Sequence, residues 1–197
     1  MTGRTLVAGV GNVFLTDDAF GVEVARLLAG RPWPDGVEIA DFGIRGVHLV
    51  YELLNGCDLF VLIDAAQRGL APGTVTVLEV DPAAATPDAA LMDAHDLTPD
   101  AIFAMLASLG GHPGRSLVVA CEPADLGAGM GLSDPVRAAL PHAVSAVEDI
   151  LGQLSQERYR LACRRDAGQS PPVGPECPKC RPLSVLLPDS SPWGGGA

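Results

Sequence analysis

Residues 59–65 read Leu59-Phe60-Val61-Leu62-Ile63-Asp64-Ala65. Five consecutive apolar side chains make a run of strand length. A strand apolar at every position must be covered on both faces, because a half-exposed strand alternates apolar with polar. Further strand-length runs, rich in apolar and β-branched residues, lie at 5–10, 37–40, 75–80 and 116–121. Between them, apolar residues fall at helical spacing: Phe20, Val24, Leu27 and Leu28; Val47, Val50, Leu53 and Leu54; Ile102, Met105 and Leu106; then Val136, Leu140, Val144, Val147, Ile150 and Leu151. Covered strands alternating with amphipathic helices predict an α/β fold, a three-layer sandwich with a twisted, mostly parallel sheet flanked by helices.

The composition supports one such domain. The chain has 197 residues, 48% of them hydrophobic, which suffices for a sizeable core. Its 13 Lys+Arg against 24 Asp+Glu leave a formal charge of −11, which repels phosphate backbones and anionic lipid headgroups. Nucleic acid and membrane surfaces are therefore not expected partners. The apolar runs stop well short of the ~20 residues that cross a bilayer, and residues 6–10 are too short for an export signal. A cytoplasmic location is expected, and a monomer. Five cysteines, an odd number, do not suggest a disulfide framework, and Cys57 and Cys121 lie in apolar stretches as expected of buried thiols.

The charge is uneven along the chain. Residues 156–197 carry six basic and four acidic side chains, together with Pro/Gly/Ser-rich runs at 168–175 and 188–197. That composition has little to pack and is expected to be disordered. The folded domain is accordingly read as 1–155, ending among residues 154–161, with 156–197 as a tail. Cys177 and Cys180 in the tail are spaced like half a zinc knuckle. A structural zinc needs four ligands, and the tail adds only Cys163.

In open α/β sheets, ligands bind at the carboxyl ends of the strands. There the chain places Gly9-Val10-Gly11-Asn12 and Thr16-Asp17-Asp18, then Asp41 to Gly46, then Asp64, then Glu122-Pro123. The pair Gly9 and Gly11 invites a dinucleotide reading, but the fingerprint wants glycine where Phe14 stands, and Asp17 and Asp18 would repel a phosphate. Thr16 or Asp17 can cap the following helix, and acidic first-turn residues suit its positive end. Two adjacent carboxylates exceed what a cap needs. Asp64 is costly to bury unless hydrogen-bonded, paired or metal-bound. His95 alone signifies little, but with Asp18 and Asp64 it completes an oxygen, oxygen, nitrogen set suited to nickel or zinc.

These residues, with Asp41 and Gly43, Ile63-Asp64-Ala65, His95, Glu122-Pro123 and Gly131-Leu132-Ser133 in order, resemble the hydrogenase maturation proteases over residues 4 to about 152. The resemblance implies an endopeptidase that removes a C-terminal extension from the nickel-loaded precursor of a nickel–iron hydrogenase large subunit. It implies that Asp18, Asp64 and His95 bind or probe the nickel, which the substrate supplies. Two departures from the family pattern stand out. Asp18 replaces the commoner glutamate, and the loop after Asp41 reads Phe42-Gly43-Ile44-Arg45-Gly46 instead of a segment of small residues. Arg45 either docks the substrate peptide or screens the acidic rim.

No nucleophile is evident: Cys57 and Cys121 read as buried, Ser133 as an N-cap, and no His-Glu-x-x-His occurs. The expected chemistry is metal-assisted hydrolysis, with Asp17 or Asp41 taking the proton. The alternative is a nickel-checking chaperone that uses the same three ligands without cleaving.

Overall fold

The structure, a computed structural model, describes residues 3–81 and 99–167. Among the described residues, five strands and four helices follow in the order β1 (Thr5–Val10), α1 (Phe20–Ala29), β2 (Val37–Gly43), α2 (Gly46–Leu54), β3 (Leu59–Ala65), β4 (Val75–Val80), α3 (Pro99–Ser108), β5 (Arg115–Cys121) and α4 (Asp134–Ala167). A 3-10 turn, Thr16–Ala19, leads into α1. The strands form one sheet in the order β2-β1-β3-β5-β4. All neighbours are parallel except β4, which runs antiparallel to β5 at the edge.

Alternation along the strands sorts the two faces. Leu6, Ala8, Phe60, Leu62, Val118 and Ala120 pack with Leu49, Val50 and Leu53 of α2 and Ile102, Phe103 and Leu106 of α3. Phe60 meets Phe103 edge to face, ring centroids 5.9 Å apart. On the other face Gly9 lies directly under Gly21 and Ala25 of α1. Helices thus cover both faces, and β3 is buried from Leu59 to Asp64, as its unbroken apolar run requires. Burial stabilises each such Leu, Ile or Phe by roughly 1.5–3 kcal/mol.

The helical stripes are shifted from their sequence reading in α2. Leu49, Val50 and Leu53 are buried, whereas Val47 and Leu54 are exposed, as is Leu27 in α1. Apolar character marks a helix face only to within a residue or so, and contact with the sheet settles which side is dry. The chain divides into two compact units, Met1–Val147 and Glu148–Ala197. Helix α4 begins in the first and continues to Ala167, past the 154–161 boundary read from composition. Local hydrogen bonds carry a helix beyond the last residue that a core demands. Cys57 and Cys121 are buried free thiols, and burial pushes both pKa values up. Cys177 and Cys180 lie outside the described residues. Among the described residues, no helix is long and apolar enough to cross a membrane.

Candidate functional site

Strands β1 and β3 are neighbours, yet the chain leaves β1 for β2 on one side and reaches β3 on the other. Such a reversal opens a crevice at the carboxyl ends of the two strands. Gly9 of β1 pairs with Ile63 of β3 on one side and with Asp41 of β2 on the other. Asp64 therefore stands one residue beyond that level, at the lip of the crevice.

The glycines of the opening motif close the crevice. Gly11 has φ +131°, a conformation that L side chains rarely adopt, and a Cβ there would run into the carbonyl oxygen of Asp18. A Cβ on Gly21 would collide with the carbonyl oxygens of Ile63 and Val10. The motif lets the 3-10 turn and the start of α1 ride directly on the strand ends, and so brings Asp18 to Asp64.

Asp64 is 7% exposed. Burial, then repulsion from the Asp18 charge, push its carboxyl up to about 8, against a hydrogen bond from the Ala65 N–H. Asp18 is half-buried, and its Oδ2 accepts the Asn12 N–H at 2.6 Å. Two carboxylates whose charges reach each other in a partly dry crevice repel, and a divalent cation near both would relieve the repulsion and the burial cost. The donor set thus fits a cation. His95 lies outside the described residues. Among the described residues, no group of three His, Cys, Asp or Glu side chains forms a metal cluster.

Asp17 points elsewhere. It is 0% exposed, and its carboxylate accepts four hydrogen bonds. Its Oδ2 accepts the N–H groups of Ala124 (2.8 Å) and Asp125 (3.0 Å) and the Ser133 hydroxyl (2.8 Å); Oδ1 accepts the Ser133 N–H (2.7 Å). Burial alone would raise its pKa, but these bonds outweigh it and hold the carboxyl below its ordinary value. A carboxylate so occupied has no room to take a proton, so the catalytic role expected of Asp17 gives way to a clamp. Neither Asp17 nor Thr16 caps the helix with its side chain. The Thr16 hydroxyl donates instead to the carbonyls of Asp125 (2.6 Å) and Gly127 (3.2 Å). Ser133 stands where the N-cap was expected, its carbonyl accepting the Arg137 N–H at 2.8 Å, while its hydroxyl serves Asp17.

Asp41 shares its sheet face with Gly9 and Ile63, the face under α1, and pairs with Arg26 of α1 at 3.3 Å. Asp64 follows Ile63 and belongs to the opposite face, that of Leu62. Asp41 is thus directed away from the carboxylate pair, which does not fit the role of proton acceptor. Arg45 donates to the carbonyls of Asp41 (Nη2, 2.6 Å) and Phe42 (Nε, 3.1 Å) and staples the end of β2. Glu122, expected only as a supporting mark, accepts the N–H groups of Arg68 (2.8 Å) and Gly69 (3.2 Å) and anchors the loop after Asp64. The sequence signal for the buried carboxylates Asp17, Asp64 and Glu122 was present, each being an acid abutting an apolar strand or helix. Their partners, far along the chain, were not legible.

The chain has known relatives. Residues 22–150 match the family model of HycI, described as hydrogenase maturation protease. The chain belongs to the hydrogenase maturation protease family. It is 36% identical over 180 residues to the hydrogenase expression/formation protein HupM of Azotobacter chroococcum mcd 1, covering 88% of this chain and 84% of that one. It is 33% identical over 147 residues to the hydrogenase 2 maturation protease of Escherichia coli K12, covering 73% and 88% respectively. Among solved structures it resembles the hydrogenase maturating endopeptidase HybD from Escherichia coli, with TM-score 0.60 and 30% identity over 85% of this chain and 95% of that one. The relatives are named maturation proteases or endopeptidases, and this family member is accordingly an enzyme of the hydrolase class.

Proposed function

We propose that this maturation protease removes a C-terminal extension from the nickel-loaded precursor of a nickel–iron hydrogenase large subunit. The observation that carries the reading is the pair Asp18 and Asp64 at the β1/β3 crevice, one held by the Asn12 N–H and the other buried with its carboxyl raised to about 8. Asp18, Asp64 and His95 are the residues that contact the nickel, which arrives with the substrate. Its chemistry, when bound, is to polarise the scissile carbonyl.

The chain's own residues do the rest. Asp18 is aimed by the Asn12 N–H. Burial and the Asp18 charge both favour the protonated form of Asp64, so a positive charge entering the crevice with a loaded precursor favours its ionisation. Arg45, with two of its five N–H groups on carbonyls, keeps donors for a substrate peptide at the same rim. The protein acts on the precursor in the cytoplasm and as a monomer, without nucleic acid or membrane.

The test is the intact mass of the nickel-loaded precursor before and after incubation, with the nickel-free precursor alongside. Loss of a C-terminal peptide from the loaded sample alone is expected. Binding without any change of mass would replace the protease by a nickel-checking chaperone.

A further inference from the structure

Two of the most exposed large apolar side chains among the described residues, Phe14 (64% exposed) and Met130 (77%), lie within two residues of one backbone bridge, Leu15 to Gly129. The Gly129 N–H donates to the Phe14 carbonyl at 2.9 Å, and the Thr16 N–H donates to the Gly129 carbonyl at 3.2 Å. The Thr16 hydroxyl and the Asp17 carboxylate bind the same two loops together again. Apolar side chains on a free loop collapse against the nearest dry surface. Here the backbone of both loops is pinned, so Phe14 and Met130 stay in water, which costs free energy unless something covers them.

Asn12 joins this apolar pair to the crevice. Its N–H donates to Asp18 Oδ2 at 2.6 Å, while its own Oδ1 accepts the Phe14 N–H at 3.0 Å. The residue that aims Asp18 therefore also sets Phe14.

We propose that Phe14 and Met130 form the lips of a subsite that takes an apolar side chain of the polypeptide substrate beside the crevice. The proposal rests on the protease reading and deepens it by naming what the substrate must offer: an apolar residue flanking the segment that enters between Asp18 and Asp64. A second copy of this chain fits less well. Two such side chains offer on the order of 300 Å², against the ~800 Å² per partner that stable dimers bury.

The test uses Phe14→Ser, Met130→Ser and the double variant, with Val77→Ser on the β4 edge as the control. For each, the Kd for the nickel-loaded precursor is measured by calorimetry, and kcat and KM for its cleavage by intact mass. Each lip variant should raise both Kd and KM roughly tenfold, the size of effect expected for an interface anchor. The thermal midpoint should not move, because both side chains are exposed, and kcat should stay within about twofold because the lips supply binding and not the carboxylates. Unchanged Kd and KM in the double variant would overturn the proposal. So would a dimer, seen by analytical ultracentrifugation, that the double variant disperses, because the pair would then serve self-association. A wild-type protein that binds without cleaving, with weaker binding by the lip variants, would keep the subsite and remove the protease reading. A wild type that neither binds nor cleaves the precursor would overturn both.

Discussion

Asp17 and Ser133, 116 residues apart in the chain, are joined by two hydrogen bonds, from the Ser133 N–H to Oδ1 at 2.7 Å and from its hydroxyl to Oδ2 at 2.8 Å. They tie the turn that carries Asp18 to the start of α4. The loop between β5 and α4 is held by the same carboxylate through Ala124 and Asp125. The immediate neighbour of a site residue is thus the fastener that fixes where the site residue stands.

Asp17→Asn should therefore damage both stability and activity. An amide must turn its NH2 toward one of the donors, so at least one bond becomes a repulsion and another donor loses its partner. The expected loss is about 2–4 kcal/mol, against about 1 kcal/mol for Ser133→Ala, which keeps the backbone donor. Urea denaturation of both variants measures the ratio. Equal, small losses would mean that water replaces the carboxylate and that the clamp is dispensable.

Asp64 gives stability an unusual pH dependence. Its carboxyl titrates near 3.8 in the unfolded chain and near 8 in the folded protein. Between those values the folded state holds the extra proton, so the contribution is complete below about pH 4 and is lost as pH rises through about 8. Asp64→Asn removes that loss. Its stability relative to the parent should grow from pH 5 to pH 8, by an amount on the order of a few kcal/mol. Asp17 behaves oppositely: its lowered pKa gives a contribution present above about pH 4 that disappears in acid. Thermal midpoints of the two variants across pH 3–9 should diverge in these opposite directions.

For activity, Asp64→Asn should abolish cleavage of a loaded precursor in a protein that remains folded at pH 7. Asp41→Asn, directed toward Arg26 and α1, should retain cleavage within about tenfold. Timed mass spectrometry of the precursor separates the two. A dead Asp41→Asn protein with an unchanged thermal midpoint would place the proton acceptor on β2 after all.

Gly21→Ala should be worse for folding than any of these. The added methyl has no side chain to displace, only the carbonyl oxygens of Ile63 and Val10, so α1 must lift off the sheet. A loss of several kcal/mol is expected. A circular-dichroism melt within a degree or two of the parent would show that the helix start can shift without cost.

Much of this was legible beforehand, for identifiable reasons. The runs at 5–10 and 75–80 match β1 and β4 residue for residue, because strand-length runs dominated by apolar and β-branched residues admit few alternatives, even with Glu79 inside the second. Asp64 was conspicuous because a carboxylate directly after five buried apolar residues demands an explanation. Asp17 and Asp18 were legible as a pair but not in their division of labour. Adjacent residues on a tight turn point apart, and only the positions of Ala124, Asp125 and Ser133 decide which of the two is consumed. Asp41 looked equivalent to Asp64 in sequence, since both close a strand. The pleat sends them to opposite faces, and only the register of β2 and β3 against Gly9 reveals it.

The sequence by itself determined the layered α/β class, the edge of the sheet that carries the carboxylates, and the family. Each of these follows from local periodicity or from motifs read in chain order. Tertiary structure alone decided which carboxylate is clamped, which is buried against Asp18, and which faces away. Those outcomes depend on donors and charges from other elements, up to 116 residues distant in the case of Ser133 and Asp17. No local pattern encodes the direction from which such partners arrive.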